Sequence, residues 1–250
     1  MCTLEKRGNI YILTLTGTDD HRLNPNLLDA LNSSLRHLHT VPTSPSSVLI
    51  TTAHGKFFSN GYDLAWATQQ SSPSPATALP RFQLMSSKFR SVISNLISLP
   101  MPTIAAVTGH ASAAGFIFAL THDFVLMRRD RGFLYMSEVD IGLVISEWFD
   151  SILKCKIGDF SVRREVVLMA AKLTAEMAVE RRIVYSAHDS AEKTVEAAVV
   201  LAEELVSRGW DGHVYGKNRL VVLNEVMDKI GFDETVEGQN GDNTNKLSKL

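Results

Sequence analysis

The chain has 250 residues, 45% of them hydrophobic and 21% charged, with a formal net charge of −2. That length suits one large domain with a substantial core, and the near-neutral balance excludes the global basic field that attracts nucleic acid. Two distant cysteines, Cys2 and Cys155, make neither a disulfide framework nor a zinc-ligand spacing. The N-terminus lacks the apolar core of a secretory signal, and the longest near-unbroken apolar run, residues 111–120, is too short to span a bilayer.

Residues 9–16, N-I-Y-I-L-T-L-T, read as a strand, and T-D-D-H-R-L-N-P as the loop after it. Asn24 followed by Pro25 marks a helix start. Leu27, Leu28, Leu31, Leu35 and Leu38 then recur at helical spacing. A Pro/Ser turn over 41–47 leads into residues 48–64, V-L-I-T-T-A-H-G-K-F-F-S-N-G-Y-D-L. This is an apolar strand, a turn carrying Gly55 and Gly61, and a helical start. Such a turn leaves backbone N–H groups without ladder partners, able to point at a ligand oxygen. Residues 69–80, rich in Pro and Ser, predict a loop. Phe82, Met85, Phe89, Val92, Ile93, Leu96 and Ile97 share one face of a helix over 82–99, which Pro100 and Pro102 end.

Residues 102–116, P-T-I-A-A-V-T-G-H-A-S-A-A-G-F, repeat the device: a strand enters a turn of very small residues between Gly109 and Gly115, and an apolar helix follows. Two N–H groups from two such turns are what an oxyanion hole needs. Ser112 lacks the flanking glycines of a G-x-S-x-G nucleophile elbow, because His110 and Ala114 stand there. His54 and His110 sit beside the two turns, where packing or surface placement is their default role. Strands follow at 124–127 and 133–136. From residue 146 the pattern is mainly helical, clearest over 190–208 and 213–230. Residues 233–246 are polar and Asn/Gly-rich, which predicts a mobile, exposed tail. Strand–turn–helix units followed by helices place the chain in the α/β class.

Three segments occur in order: F-S-N-G-Y-D-L at 58–64, A-A-V-T-G-H-A-S-A-A-G at 105–115, and K-L-T-A-E-M-A-V-E-R-R-I-V at 172–184. Together they resemble the signatures of the crotonase (enoyl-CoA hydratase/isomerase) family, a likeness that covers residues 9–208. The resemblance implies an α/β spiral of ββα units over residues 1–190, a helical C-terminal trimerisation region over 191–232, and a tail over 233–250. It makes the backbone N–H groups of Tyr62 and Ala114 the oxyanion donors and Glu138 the acid/base, with Gly142 matching the glycine after the family's catalytic glutamate. Asp140 is a local rival whose spacing to Gly142 does not fit. Glu138 stands among large apolar residues, where burial raises a carboxyl pKa toward neutrality.

The family's hydratases carry a second glutamate on the helix after the second turn. Here that position is Ile117, and Glu147 and Asp150 are the nearby carboxylates that could enter the pocket instead. One carboxylate with an oxyanion hole suits a 1,3-proton shift, so the likeness is to the Δ3,Δ2-enoyl-CoA isomerase branch. An enoyl-CoA hydratase is the alternative, ahead of a thioester hydrolase, and a non-catalytic acyl-CoA-binding member of the fold is the reading from another class. Arg22 and Lys56 are the candidates for CoA phosphates. No metal and no cofactor is expected. Arg182 stands where the third signature usually has glycine, which puts the turn there in question. The tripeptide Ser248-Lys249-Leu250 reads as a peroxisomal address for an import receptor. The expected partners are therefore an acyl-CoA substrate, that receptor and further copies of the chain in a homotrimer or hexamer, with no nucleic acid and no membrane span.

Overall fold

The computed structural model describes residues 1–42, 46–68 and 75–231. Strands β1 (Cys2–Arg7) and β2 (Ile10–Leu15) form an antiparallel hairpin, followed by α1 (Pro25–His39). Three similar units come next. The first is β3 (Val48–Ala53), β4 (Phe57–Ser59), α2 (Leu64–Thr68) and α3 (Pro75–Ile97); the second is β5 (Thr103–Val107), β6 (His110–Ser112) and α4 (Ala114–Thr121); the third is β7 (Phe124–Arg128), β8 (Leu134–Tyr135) and α5 (Glu147–Lys156). The rest is α6 (Phe160–Leu168), α7 (Ala175–Glu180), β9 (Ser186–His188), α8 (Ala191–Ser207), α9 (Gly212–Val222) and α10 (Asn224–Ile230).

The first strand of each unit joins one sheet, in the order β1-β2-β3-β5-β7-β9, parallel from β2 onward. The second strand of each joins a smaller parallel sheet, β4-β6-β8. This is the ββα spiral expected. Successive side chains of a strand point to opposite faces, and the large sheet uses both. Tyr11, Leu13, Leu49, Ala105, Val107, Val125 and Met127 join the main core with α1, α3 and α4. Their alternates Ile10, Ile12, Val48, Ile50, Ile104, Ala106 and Leu126 pack instead on Ala198, Leu201, Ala202 and Leu205 of α8. Burial on both faces is why these strands read as unbroken apolar runs. The later helices are tied in by Arg219 of α9, whose guanidinium donates to Asp123 Oδ1 at 2.8 Å and to the carbonyls of Leu96, Ile97 and Leu99 where α3 ends.

Several local expectations are corrected. The loop over 69–80 is helical from Pro75 onward, with Pro80 inside α3; residues 69–74 lie outside the described residues. Proline is tolerated at the first helical position, where Pro75 stands, whereas Pro80 lies in the second turn and brings no N–H; the long apolar stripe behind it holds the helix. The single helix over 213–230 is broken at Leu223, whose ψ of 25° interrupts the helical run while its side chain is buried. Strands β1, β4, β6 and β9 form where the local pattern predicts no strand; β1 carries Glu5, Lys6 and Arg7 at a sheet edge, where charge is usual, and the other three have only three residues each. Part of the 41–47 turn, residues 43–45, and the whole tail with Ser248-Lys249-Leu250 also lie outside the described residues.

The turn at Arg182 forms without glycine. Arg182 adopts φ +56°, and the amides of Arg182 and Ile183 donate to the carbonyls of Val179 and Ala178, closing α7. A left-handed backbone costs a non-glycine residue about 1–2 kcal/mol, and these bonds hold it there.

Candidate active site

Each strand of the small sheet ends at one of the site residues. Leaving β4, the chain reaches Gly61 and Tyr62; leaving β6, Ala113 and Ala114; leaving β8, Glu138. The pairing Ser112↔Tyr135 sets the second of these ends against the third.

The first two turns touch. Gly61 has φ +72°, and a Cβ built on it would lie 2.9 Å from the Ser112 carbonyl oxygen and 3.4 Å from the Ala114 nitrogen. A Cβ on Gly115 would overlap the Ser59 carbonyl. The glycines and alanines here therefore serve close approach of two backbones. Ala114 is the first residue of α4, a position whose N–H has no carbonyl to bond within its own helix. Ala113 before it is held at φ 51°, ψ −125°, a region alanine rarely visits. It is fixed by donation of its N–H to the Tyr135 carbonyl at 2.7 Å, while its own carbonyl accepts from Phe116 and Ile117. The strained residue thus sets the direction of the Ala114 amide. On the other turn the Tyr62 ring is packed edge-on to Phe82 and Phe89, with centroids 5.2 and 5.6 Å away, and stacks on Phe149 at 6.5 Å. Side-chain packing thereby anchors the Tyr62 backbone.

Glu138 is 7% exposed, and its Oε2 is buried with no hydrogen-bond partner among the described residues. Burial disfavours the carboxylate and pushes the pKa up from 4.5 to about 7, the only opposing effect being a backbone hydrogen bond. A buried carboxyl with one unpartnered oxygen that titrates near neutrality is costly to stability and suited to proton transfer. Ile117 is fully buried within the main core, so no second carboxylate stands at that position. The other two candidates are engaged elsewhere: Glu147 pairs with Lys229 of α10 at 2.6 Å, and Asp150 with Lys154 at 2.6 Å. Ser112 lies within β6, paired with Tyr135, and makes no nucleophile elbow.

The two proposed phosphate ligands differ. Arg22 donates from Nε to Asp20 Oδ2 at 3.2 Å, which offsets its charge. Lys56 is exposed, with its ammonium 5.5 Å from the Phe57 ring centroid. It belongs to a basic group missed in the sequence: Lys56, Arg131 and Lys172 all act on His110, whose pKa is lowered first by burial and then by these charges. His110 itself packs between Phe57 and Phe133. His54, beside the first turn, is exposed. Only the sheet brings residues 56, 131 and 172 together, so no local pattern could have found them. Among the described residues, no group of three or more His, Cys, Asp and Glu could hold a metal, and no helix is long and apolar enough to cross a membrane.

Comparison with known proteins gives a consistent result. Residues 5–224 match the enoyl-CoA hydratase/isomerase family. The chain is 58% identical over 227 residues to the peroxisomal enoyl-CoA delta isomerase 1 of Arabidopsis thaliana, covering 91% of each protein. It is 48% identical over 237 residues to the peroxisomal enoyl-CoA delta isomerase 2 of the same plant, covering 94% of this chain and 98% of that one. Among solved structures, the fold is similar to a Mycobacterium tuberculosis protein described in one structure as an enoyl-CoA isomerase and in another as a probable enoyl-CoA hydratase, with a TM-score of 0.80 at 21% identity over 95% of this chain and 96% of that one in the first. It is equally similar to an enoyl-CoA hydratase of Bacillus halodurans, with a TM-score of 0.81 at 17% identity over 100% and 99%.

Proposed function

The chain belongs to the enoyl-CoA hydratase/isomerase family, and from that premise we propose that it is a Δ3,Δ2-enoyl-CoA isomerase acting in the peroxisomal oxidation of unsaturated fatty acids. One observation carries the choice of reaction: a lone buried carboxyl, Glu138, with its pKa near 7, and isoleucine at position 117. High identity to relatives named enoyl-CoA delta isomerases supports it.

In this reading the Glu138 carboxylate takes a proton from C2 of a 3-enoyl-CoA. The electrons delocalise into the thioester, whose oxygen becomes an oxyanion accepting hydrogen bonds from the Tyr62 and Ala114 N–H groups. The same carboxylic acid returns the proton at C4, and the double bond ends between C2 and C3. No atom is gained or lost. Hydration requires a water molecule activated by a second carboxylate, and Ile117 supplies none. Lys56 is assigned to the CoA phosphates, with Arg22 the weaker candidate because of Asp20. The same proposal covers the division into a spiral core over 1–190, C-terminal helices over 191–232 that build a homotrimer or hexamer, and a tail over 233–250.

The test is purified protein with a 3-enoyl-CoA, followed by the absorbance of the conjugated 2-enoyl product. Isomerisation is expected, with hydration of 2-enoyl-CoA much slower; hydration at a comparable rate would transfer the assignment to the hydratases. In the same assay Lys56→Ala should raise KM with kcat unchanged, and a changed kcat with normal KM would remove Lys56 from the CoA path.

Compartment is tested separately. Two of the relatives are named peroxisomal, and Ser248-Lys249-Leu250 is assigned to the import receptor. A fluorescent fusion that keeps this C-terminus should be punctate and become diffuse when the three residues are deleted. A diffuse intact fusion would refute the address.

A further inference from the structure

Tyr135 stands where the ends of β6 and β8 pair. Its backbone carbonyl accepts the Ala113 N–H, one residue before the proposed oxyanion donor. Its phenol hydroxyl donates to Asp140 Oδ2, and the Lys172 ammonium lies 5.0 Å from its ring centroid. Between Tyr135 and Asp140 the chain makes a tight turn. Ile141 N–H donates to the Ser137 carbonyl at 3.2 Å, Gly142 N–H to Val139 at 3.2 Å, and Leu143 N–H to Glu138 itself at 2.8 Å. The carboxyl of Glu138 is buried, whereas Val139 and Asp140 are exposed. The turn therefore presents Glu138 inward and Asp140 outward, and the outward side chain is tied back to the strand.

We propose that the Tyr135–Asp140 hydrogen bond is a positioning clamp that holds the Glu138 turn in register with the oxyanion turn. The proposal rests on the reading of Glu138 as the proton carrier. The distance between base and oxyanion donor is set on one side by the Ala113–Tyr135 backbone bond. On the other side it is set by how firmly the turn is held to β8, through the backbone bonds within the turn, the burial of Met136 and the Tyr135–Asp140 contact. The phenol stays a donor through the working pH range, because the Asp140 hydrogen bond, with help from burial and the nearby carboxylates, pushes its pKa up to about 12. Neither Tyr135 nor Asp140 is required to touch substrate.

Loosening a base by a fraction of an ångström slows proton transfer without weakening substrate binding, and larger misplacements cost about a hundredfold. Tyr135→Phe keeps the ring, the Lys172 contact and the backbone bond. Its kcat for isomerisation should fall about tenfold while KM stays within about twofold. Asp140→Ala should do the same. Asp140→Asn retains an acceptor oxygen and should recover most of the rate. The double variant Tyr135→Phe/Asp140→Ala should be no slower than either single one, since the same bond is lost. Wild-type kcat in Tyr135→Phe, equal losses in Asp140→Ala and Asp140→Asn, or additive losses in the double variant would each overturn the clamp. Should Tyr135→Phe fail to fold, the Asp140 pair carries the comparison. Glu138→Gln is run alongside: an inactive Glu138→Gln beside a fully active Tyr135→Phe refutes the clamp and leaves the base, whereas an active Glu138→Gln refutes the base itself.

Discussion

Glu138→Gln should lower isomerisation by about 10²–10⁴-fold, the range expected when a positioned acid/base is lost, while acyl-CoA binding persists. Glutamine keeps the size and polarity of the side chain and cannot carry the proton. In the wild-type enzyme the carboxyl must be ionised to act as a base. Its pKa of about 7 therefore predicts that kcat/KM rises with pH through neutrality and then levels. Stability should move the other way. A carboxyl whose folded pKa lies above its ordinary value of 4.5 contributes stability that is fully present below 4.5 and is lost as pH rises through about 7. Glu138→Gln has no charge to bury, so at pH 8 it should be more stable than wild type by an amount on the order of a few kcal/mol. The advantage should vanish near pH 4. Thermal melts at the two pH values and a steady-state assay read both effects together. Wild-type turnover in the variant, or melting that tracks wild type at both pH values, would remove Glu138 from its assigned role.

Ala114→Pro should be the second most damaging change. Losing one oxyanion donor typically costs ~2.7–4 kcal/mol of transition-state stabilisation, about 10²–10³ in kcat. Position 114 opens α4, where proline is tolerated because its missing N–H has no helical partner. The proline ring also restricts the residue before it, and Ala113 at φ 51°, ψ −125° must shift to accommodate it, so a thermal melt separates loss of the donor from loss of the turn. Tyr62→Phe is the contrasting control. It keeps the ring among Phe82, Phe89 and Phe149 and keeps the backbone N–H, so its rate should remain within a few-fold of wild type. If a folded Ala114→Pro turned over normally, the second donor would have to lie elsewhere.

The two carboxyls of the β8 turn illustrate how burial separates roles. Glu138 and Asp140 are two residues apart, yet one is enclosed with an oxygen that has no partner among the described residues while the other lies at the surface with a phenol donating to it. Spacing alone favoured Glu138 through the resemblance to the family's glutamate–glycine pattern. The chemical reason, loss of hydration around one carboxyl only, belongs to the fold.

What the sequence determined by itself is the set of parts whose causes are local. The apolar run at 48–53, the leucine stripe after Asn24–Pro25, and the small residues at 109–115 each specify an element through periodicity, capping or the absence of side-chain bulk, and the structure has β3, α1 and the β6–α4 turn there. The isomerase reading also came from single positions, Glu138 present and Ile117 in place of a second glutamate. Tertiary structure decided what depends on neighbours distant in sequence. Helix α3 begins at Pro75 despite a loop-like composition, because a long buried stripe outweighs local propensity. Arg182 keeps a turn that usually takes glycine, because hydrogen bonds to the last carbonyls of α7 hold the backbone there. The contact of Gly61 with Ala114, the gathering of Lys56, Arg131 and Lys172 around His110, and the desolvation that lifts Glu138 to about pH 7 all arise when the small sheet pairs three separate strand ends. Backbone proximity, field and hydration are properties of that assembled surface, and no window of the chain contains them.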